Sequence, residues 1–490
     1  MKVMMLNPPF LPRYSRPQRS PAVTKSGTVY YPNWLASATG VLLDAGFDAV
    51  LIDSPADNIG RQDTLNRVAD YGPEVVVLET STPSIYNDLD FAAEVKAILP
   101  KARIGLVGTH VSALAEETME QGKAVDFVCR REFDDTVRDV AERLAGDESL
   151  DSVPGVTWRK DGRIVSNPDR DPIEDLDRLP FVSAVYKRFL NIRNYFNPNA
   201  LYPMVTIVSG RGCPFRCVFC VYPQTMMGRR YRLRSVPNVV EEMAYIRSEF
   251  PKARAVFFED DTLTVNRRRC VELSEEMLRR NVKISWTANA RADLDYETMA
   301  VMKRAGCRCL CVGFESGDAD VLRGMHKGIT VDKMMRFRDD ARRAGVLIHG
   351  CFMVGNPGET RDSLARTLDL ALRLDPDTAQ FYPLMVYPGT EGYDWAKREG
   401  YLITEDYSRW LTEEGLHAGV VSTPELSAQE MEQFCDMARR RFYLRPRYMA
   451  RKLIQAVRTP AEGIRIVKAG WTFWKHLWKG TRRSSPQSSS

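Results

Sequence analysis

Histidine is scarce in this 490-residue sequence: there are five, and no pair falls at a recognisable metal-ligand spacing. Long apolar runs are also missing. No window approaches the roughly eighteen consecutive apolar residues that a spanning helix requires. The opening stretch, Met1-Lys2-Val3-Met4-Met5-Leu6-Asn7, is too short for the apolar core of a signal peptide and has no cleavage site. These absences lead to the expectation of a cytoplasmic, reducing location. The ten cysteines then need not form disulfides, which a chain of this size does not require for stability. No internal repeat of 20–50 residues is apparent. One-sided charge is lacking along most of the length as well. From Arg445 to Ser490 eleven Lys or Arg face a single acid, Glu462, so this tail accounts for more than the whole net charge of +5. The remainder is slightly acidic and does not read as a nucleic-acid binder.

What is present is concentrated in Gly212-Cys213-Pro214-Phe215-Arg216-Cys217-Val218-Phe219-Cys220. Cysteine thiolates are the usual ligands of iron–sulfur clusters. Cys213, Cys217 and Cys220 suffice for three irons of a [4Fe–4S] cube, leaving the fourth iron open to a substrate or cofactor. A zinc site would need further Cys or His ligands nearby, and none follows.

The surrounding pattern is α/β. Apolar β runs at 3–6, 49–52, 75–78, 104–107 and 127–129 alternate with helical stretches at 34–45, 62–69, 89–99, 111–121 and 134–144. Residues 1–145 therefore read as a doubly wound, Rossmann-like domain, in which ligands bind at the carboxyl ends of the strands. Residues 146–203 read as a connector containing a hairpin around Asp161-Gly162. From 204 to 387 six β runs (205–208, 255–258, 284–287, 309–314, 348–354 and 378–385) alternate with helices. They predict a partial (β/α)6 barrel whose C-terminal mouth carries the cysteine loop. Residues 388–460 read as an aromatic cover over that mouth followed by helices.

Polar groups recur at the other strand ends of this unit: Glu259-Asp260-Asp261, Asn289, Arg291, Glu315-Ser316-Gly317 and Gly355-Asn356-Pro357-Gly358-Glu359. Carboxylates there can receive an ammonium or ribose hydroxyls, and Arg a carboxylate. The alternative is that they cap the helices that follow. Cys307, Cys309 and Cys311 alternate along one predicted strand and read as small buried side chains rather than a second metal site. His110, at a strand end of the first domain, is the histidine singled out for testing. In the basic tail, 461–490, Ile464, Val467, Trp471, Trp474 and Trp478 form a helical stripe that Lys468, Lys475 and Lys479 can flank. Such a face suits a membrane interface or packing against the barrel.

The three cysteines, with Phe219 before the third, match the signature of the radical S-adenosylmethionine (SAM) superfamily. Phe258-Glu259-Asp260-Asp261-Thr262, Gly313-Phe314-Glu315-Ser316-Gly317 and Gly355-Asn356-Pro357-Gly358-Glu359-Thr360 resemble strand ends of its group with an N-terminal cobalamin-binding domain. That group includes the anaerobic magnesium-protoporphyrin monomethyl ester cyclase, hopanoid-pathway enzymes and many C-methyltransferases. The resemblance implies a [4Fe–4S] cluster that reductively splits SAM into methionine and a 5′-deoxyadenosyl radical. It also implies cobalamin as methyl donor, a reductant such as flavodoxin or ferredoxin, and a small or lipid-like substrate with an unactivated carbon. By matching position, Phe219 lies beside SAM, Glu259 and Asp260 meet its amino group, Arg291, Glu315 and Ser316 its carboxylate or ribose, and Gly355 its adenine. Thr80, Ser81, Thr82, Gly108 and Thr109 are the candidates for the cobalamin edge.

The chain departs from one pattern, since residues 1–145 contain no Asp-x-His-x-x-Gly loop. Cobalt would then take no histidine from the protein, and a first domain that has lost cobalamin stays open. Oxidative cyclisation or rearrangement is the alternative within the scaffold. Outside it stand a tRNA methylthiotransferase-like enzyme, disfavoured because the first domain lacks a cysteine triad, and a non-catalytic cluster protein. A membrane-lying tail would put the protein peripherally on the inner face of the membrane and favour a lipid-like substrate.

Overall fold

The computed structural model describes residues 1–458, 462–463 and 466–467. The predicted stripe at 464–479 therefore lies outside the described residues, apart from Val467. Among the described residues no helix is long and apolar enough to cross a membrane.

The first sheet takes β1 (Lys2–Asn7), β2 (Asp48–Asp53), β3 (Val75–Thr80), β4 (Arg103–Gly108) and β5 (Phe127–Cys129) in parallel, in the order β2-β1-β3-β4-β5. β3 is buried at all six positions, as expected of a central parallel strand covered on both faces by helices. Reversal of the strand order between β1 and β3 opens a crevice at their carboxyl ends, where ligands of doubly wound sheets bind. The hairpin assigned from sequence to the connector, β6 (Val156–Lys160) and β7 (Arg163–Ser166), instead extends this sheet antiparallel from β5. Backbone groups on an edge strand seek partners, and alternation within the hairpin did not reveal which edge it would join. The helix expected over 111–121 is two, Thr109–Ala113 and Ala115–Gln121, broken at Leu114 with φ −130°.

The second sheet is parallel throughout. β8 (Met204–Ile207), β9 (Ala255–Phe258), β10 (Ser285–Ala290), β11 (Cys307–Glu315), β12 (Leu347–Val354) and β13 (Thr378–Pro383) lie side by side in chain order. Its end strands, β8 and β13, do not pair with each other, so this is the expected partial barrel. Ser235, Asn266, Asp295, Thr330 and Thr360 each accept a hydrogen bond at the start of the helix after a strand or loop, fixing those helices locally. The C-terminal helix Ala428–Tyr443 begins with a capping box formed by Ser427 and Glu430.

A buried ion network joins the two sheets. Arg211 pairs with Glu132 (2.6 Å) and Asp134 (2.7 Å), and Arg232 pairs with the other oxygen of Glu132 (2.7 Å). Gly210–Arg211 and Arg232–Leu233 pair antiparallel and bracket the cysteine loop, so these arginines anchor that loop to the first domain.

Candidate active site

The cysteine loop leaves β8 at the barrel mouth. Gly212 has φ +85°, and a Cβ there would strike the Arg230 carbonyl, so the turn into Cys213 requires glycine. Gln224 Nε2 donates to the carbonyls of Val218 (3.2 Å) and Cys220 (2.9 Å), and Arg229 Nη1 donates to that of Phe215 (2.8 Å). These bonds hold the loop that carries the free thiols of Cys213, Cys217 and Cys220. Burial pushes the thiols of Cys213 and Cys220 up, and nearby Asp261 adds to the effect; binding of iron would remove those protons. Among the described residues no three His, Cys, Asp or Glu side chains converge on a single ion. In a cube each thiolate takes its own iron, so the ligands stand around the cluster. The donor set fits it.

Beside the loop, Glu259 and Asp261 at the end of β9 are buried carboxylates. Both accept from Arg19, a residue of the first domain: Arg19 Nη1 lies 2.6 Å from Glu259 Oε1, and Nη2 3.1 Å from Asp261 Oδ1. Burial raises both carboxyls and Arg19 opposes it. Burial also works against the charge on Arg19, but the two carboxylates outweigh it and hold its pKa well up. Asp260, a candidate for the SAM amino group, accepts from Ser209 N (2.9 Å) and Oγ (2.7 Å), tying the ends of β8 and β9 together. Asp261, given no SAM role from sequence, is the second carboxylate that Arg19 meets.

Arg291 lies over the Phe215 ring at 3.7 Å and donates to the Lys327 carbonyl at 2.6 Å. Glu315 sits at φ +64° beside an irregularity in the β11–β12 register and pairs with Lys327 Nζ at 2.8 Å, with both side chains buried. Lys327 Nζ is 5.9 Å from the Phe219 ring. Burial disfavours the charge on Lys327, but Glu315 prevails and raises its pKa. Ser316 bonds Thr367 Oγ1 (3.1 Å) and accepts from Asp318 N (3.2 Å), so it supports the turn from within. Gly355, at φ +96°, gives its N–H to Glu359 Oε2 (2.6 Å), and a Cβ there would run into Met431. Burial pushes Glu359 up to about 7.

At the first domain's strand ends, Thr80 Oγ1 donates to Val107 O (2.8 Å) and Ser81 Oγ meets Tyr14 OH (2.8 Å). Thr82 Oγ1 lies 3.2 Å from His110 Nδ1. Gly108 has φ +122° and leads directly into the helix that starts at Thr109. His110 is buried edge-on to Tyr407 (5.1 Å), and burial lowers its pKa to about 3. The predicted cover includes Tyr407–Trp410, which packs against Thr82–Ser84 and so spans the seam between the domains.

Helix Thr109–Ala113 packs on Val221–Thr225, the turn of helix immediately after Cys220. The strand-end edge of the first domain and the cysteine loop thus share a wall. Tyr222 in that wall has the Arg19 guanidinium 5.4 Å from its ring. The hydroxyl of Tyr222, Glu79 Oε2, Glu259 Oε2 and Glu359 Oε1 are buried without a hydrogen-bond partner. Burial, with Asp53 adding to it, raises Glu79 to about 8. Such atoms are costly unless a ligand completes them. They fit the ammonium and hydroxyls of SAM at the barrel mouth and amide-bearing cobalamin side chains at the seam.

Residues 207–371 match the Radical SAM superfamily and residues 19–141 match the B12 binding domain. The chain thus carries a radical SAM domain behind an N-terminal B12 binding domain, the pairing whose cofactors are a [4Fe–4S] cluster, SAM and cobalamin. Among proteins, it is similar to an uncharacterized methyltransferase of Pyrococcus horikoshii, 27% identical over 456 residues that cover 93% of this chain and 95% of the relative. It is also similar to the hopanoid C-3 methylase of Methylococcus capsulatus, 25% identical over 369 residues, covering 74% of this chain and 68% of that one. Its fold resembles that of the radical SAM methyltransferase TsrM from Kitasatospora setae, with TM-score 0.65 at 18% identity, covering 82% of this chain and 76% of the other.

Arg19 and Tyr222 had no place among the sequence candidates. A signal for Arg19 existed, because residues 8–32 form a connection far longer than most between a strand and a helix, and such loops tend to carry function. Nothing local announces which carboxylates Arg19 will meet 240 residues away.

Proposed function

We propose that this enzyme transfers a methyl group from SAM to an unactivated carbon of a small or lipid-like molecule, with cobalamin as the carrier. The observation that supports the reading is the packing of helix Thr109–Ala113 against Val221–Thr225, which joins a candidate cobalamin edge to the helix that follows Cys220. When bound, the cluster supplies the electron that breaks SAM and cobalamin supplies the methyl group. The chain's own residues bind and orient. Cys213, Cys217 and Cys220 hold the cluster. Glu259 and Asp261 receive the SAM ammonium, while Arg291 and the Glu315–Lys327 pair meet its carboxylate and ribose. The turn at Gly355 takes the adenine. Thr80–Thr82 and Gly108–Thr109 line the edge of cobalamin. Tyr407–Trp410 excludes water from the seam. The names of the similar methyltransferases support methyl transfer, and the hopanoid methylase supports a lipid-like substrate. An external reductant of the flavodoxin or ferredoxin type feeds the cluster.

Anaerobic reconstitution tests this. The protein is expected to take up about four irons with sulfide and to retain extractable cobalamin. Given SAM, reductant and a lipid extract, it is expected to form S-adenosylhomocysteine alongside 5′-deoxyadenosine. 5′-Deoxyadenosine without S-adenosylhomocysteine would overturn methyl transfer in favour of a cyclisation or rearrangement.

We further propose a peripheral membrane contact through the C-terminal region. The helix Pro446–Arg458 supports it: Met449, Leu453 and Val457 recur every fourth residue and are 49%, 68% and 77% exposed.

A further inference from the structure

The guanidinium of Arg19 stands where the site has most use for a cation. It reaches Glu259 Oε1 (2.6 Å), the Asp260 carbonyl (3.0 Å) and Asp261 Oδ1 (3.1 Å), so it spans the end of β9. Both carboxylate side chains are nearly buried, at 4% and 6% exposure, whereas the Arg19 side chain is 28% exposed. A buried carboxylate pair needs a positive partner, because unpaired charge at such depth is strongly unfavourable. Arg19 leaves Glu259 Oε2 without a partner, but an α-ammonium seated there would stand against the guanidinium on the same carboxylate pair. Like charges that close repel, so the two cations compete for the pair.

We propose that Arg19 is a built-in occupant of the SAM ammonium site, displaced when SAM binds. The inference rests on the reading of Glu259 and Asp261 as that site. Its consequence follows from where the segment carrying Arg19 is fastened. Tyr14 OH bonds Ser81 Oγ (2.8 Å), and Arg16 pairs with Asp88 (2.5 Å) and donates to Asn7 Oδ1 (2.9 Å). Ser20 Oγ meets Tyr387 OH (2.9 Å) and His417 Nε2 (3.1 Å). The segment thus runs from the carboxyl ends of β1 and β3 to the C-terminal cover, with Arg19 as its anchor in the barrel. Release of Arg19 loosens a strap that touches the first domain's ligand edge and the cover together. Arrival of SAM is thereby communicated to the neighbouring cofactor site. Arg19 is a positioning residue: it acts on the carboxylates and the strap rather than on the reacting atoms.

The test uses the full chain with its cluster reconstituted anaerobically. Two probes are compared: S-adenosylhomocysteine, which carries the α-ammonium, and 5′-methylthioadenosine, which lacks it. By hydrogen–deuterium exchange, S-adenosylhomocysteine is expected to speed exchange across residues 14–24, and 5′-methylthioadenosine to leave it unchanged. Removing a competitor raises the binding-competent fraction. If Arg19 fills the site in nine molecules of ten, Arg19→Met is expected to tighten S-adenosylhomocysteine binding by about tenfold. Weaker binding by Arg19→Met would make Arg19 a direct ligand and overturn the proposal. So would slowed exchange across residues 14–24 in the wild type, which needs no variant. Glu259→Gln made in the Arg19→Met background, where no competitor remains, separates the two levels: if it leaves S-adenosylhomocysteine affinity unchanged there, the ammonium reading itself has failed.

Discussion

At the residue scale, burial sets the behaviour of several ionisable groups at the seam. His110, held near pKa 3 by burial, is neutral in the folded protein at ordinary pH. In the unfolded chain a histidine titrates near 6.5. Below that value the unfolded state binds the proton and the folded state does not, so stability from this position is complete above about pH 6.5 and is lost as pH falls toward 3. Between pH 6.5 and 5 the loss amounts to about 2 kcal/mol. Replacement by Asn removes the titration. Chemical denaturation at the two pH values is expected to show a stability difference smaller by that amount for His110→Asn than for the wild type. Equal pH dependence in both would show that the imidazole titrates normally. Glu79 moves in the opposite sense: raised to about 8, it keeps its proton where an unfolded glutamate has lost it, so its contribution weakens as pH rises from about 4.3 to 8.

At the element scale, the helix Pro446–Arg458 is held by its polar side. Arg451 pairs with Asp375 (2.7 Å), and Tyr448 OH donates to the Asp377 carbonyl (2.8 Å), both on the approach to β13. This places it at the amino ends of the barrel strands, opposite the cysteine loop. Its apolar side is left outward at Met449, Leu453 and Val457. An outward apolar stripe beside arginines is suited to an anionic membrane surface. Leu453→Asp together with Val457→Asp is expected to lower sedimentation with phosphatidylserine vesicles several-fold while leaving SAM cleavage intact. Unchanged sedimentation would end the membrane reading. The elements themselves were largely legible from sequence, because apolar runs, caps and turn residues act locally. The helix over 111–121 was misread as one because its break at Leu114 carries no glycine or proline to announce it.

At the scale of the whole molecule, Glu132 is the hub between the two sheets. One oxygen pairs with Arg211, and the other pairs with Arg232 and accepts from Ile173 N (3.0 Å). Breaking one side of a buried ion pair costs about 3–5 kcal/mol, since it strands the remaining charge. Glu132→Gln is expected to lower the thermal midpoint markedly, and to loosen the cysteine loop held between Arg211 and Arg232. A midpoint within a degree of the wild type would show the network to be dispensable.

The sequence by itself determined the cysteine triad, the α/β class and the set of polar strand ends. A loop ligand motif, hydrophobic periodicity and strand-end chemistry all act over a few neighbouring residues, so they can be read along the chain. Tertiary structure alone decided which polar groups meet. It committed Asp260 to Ser209 and Ser316 to Thr367, and paired Asp261 with Arg19. It also brought Arg19 across the domain seam onto Glu259 and joined the hairpin to the first sheet. These pairings depend on docking two separately folded sheets, and the partners in such an interface are set by its geometry rather than by neighbours in the chain.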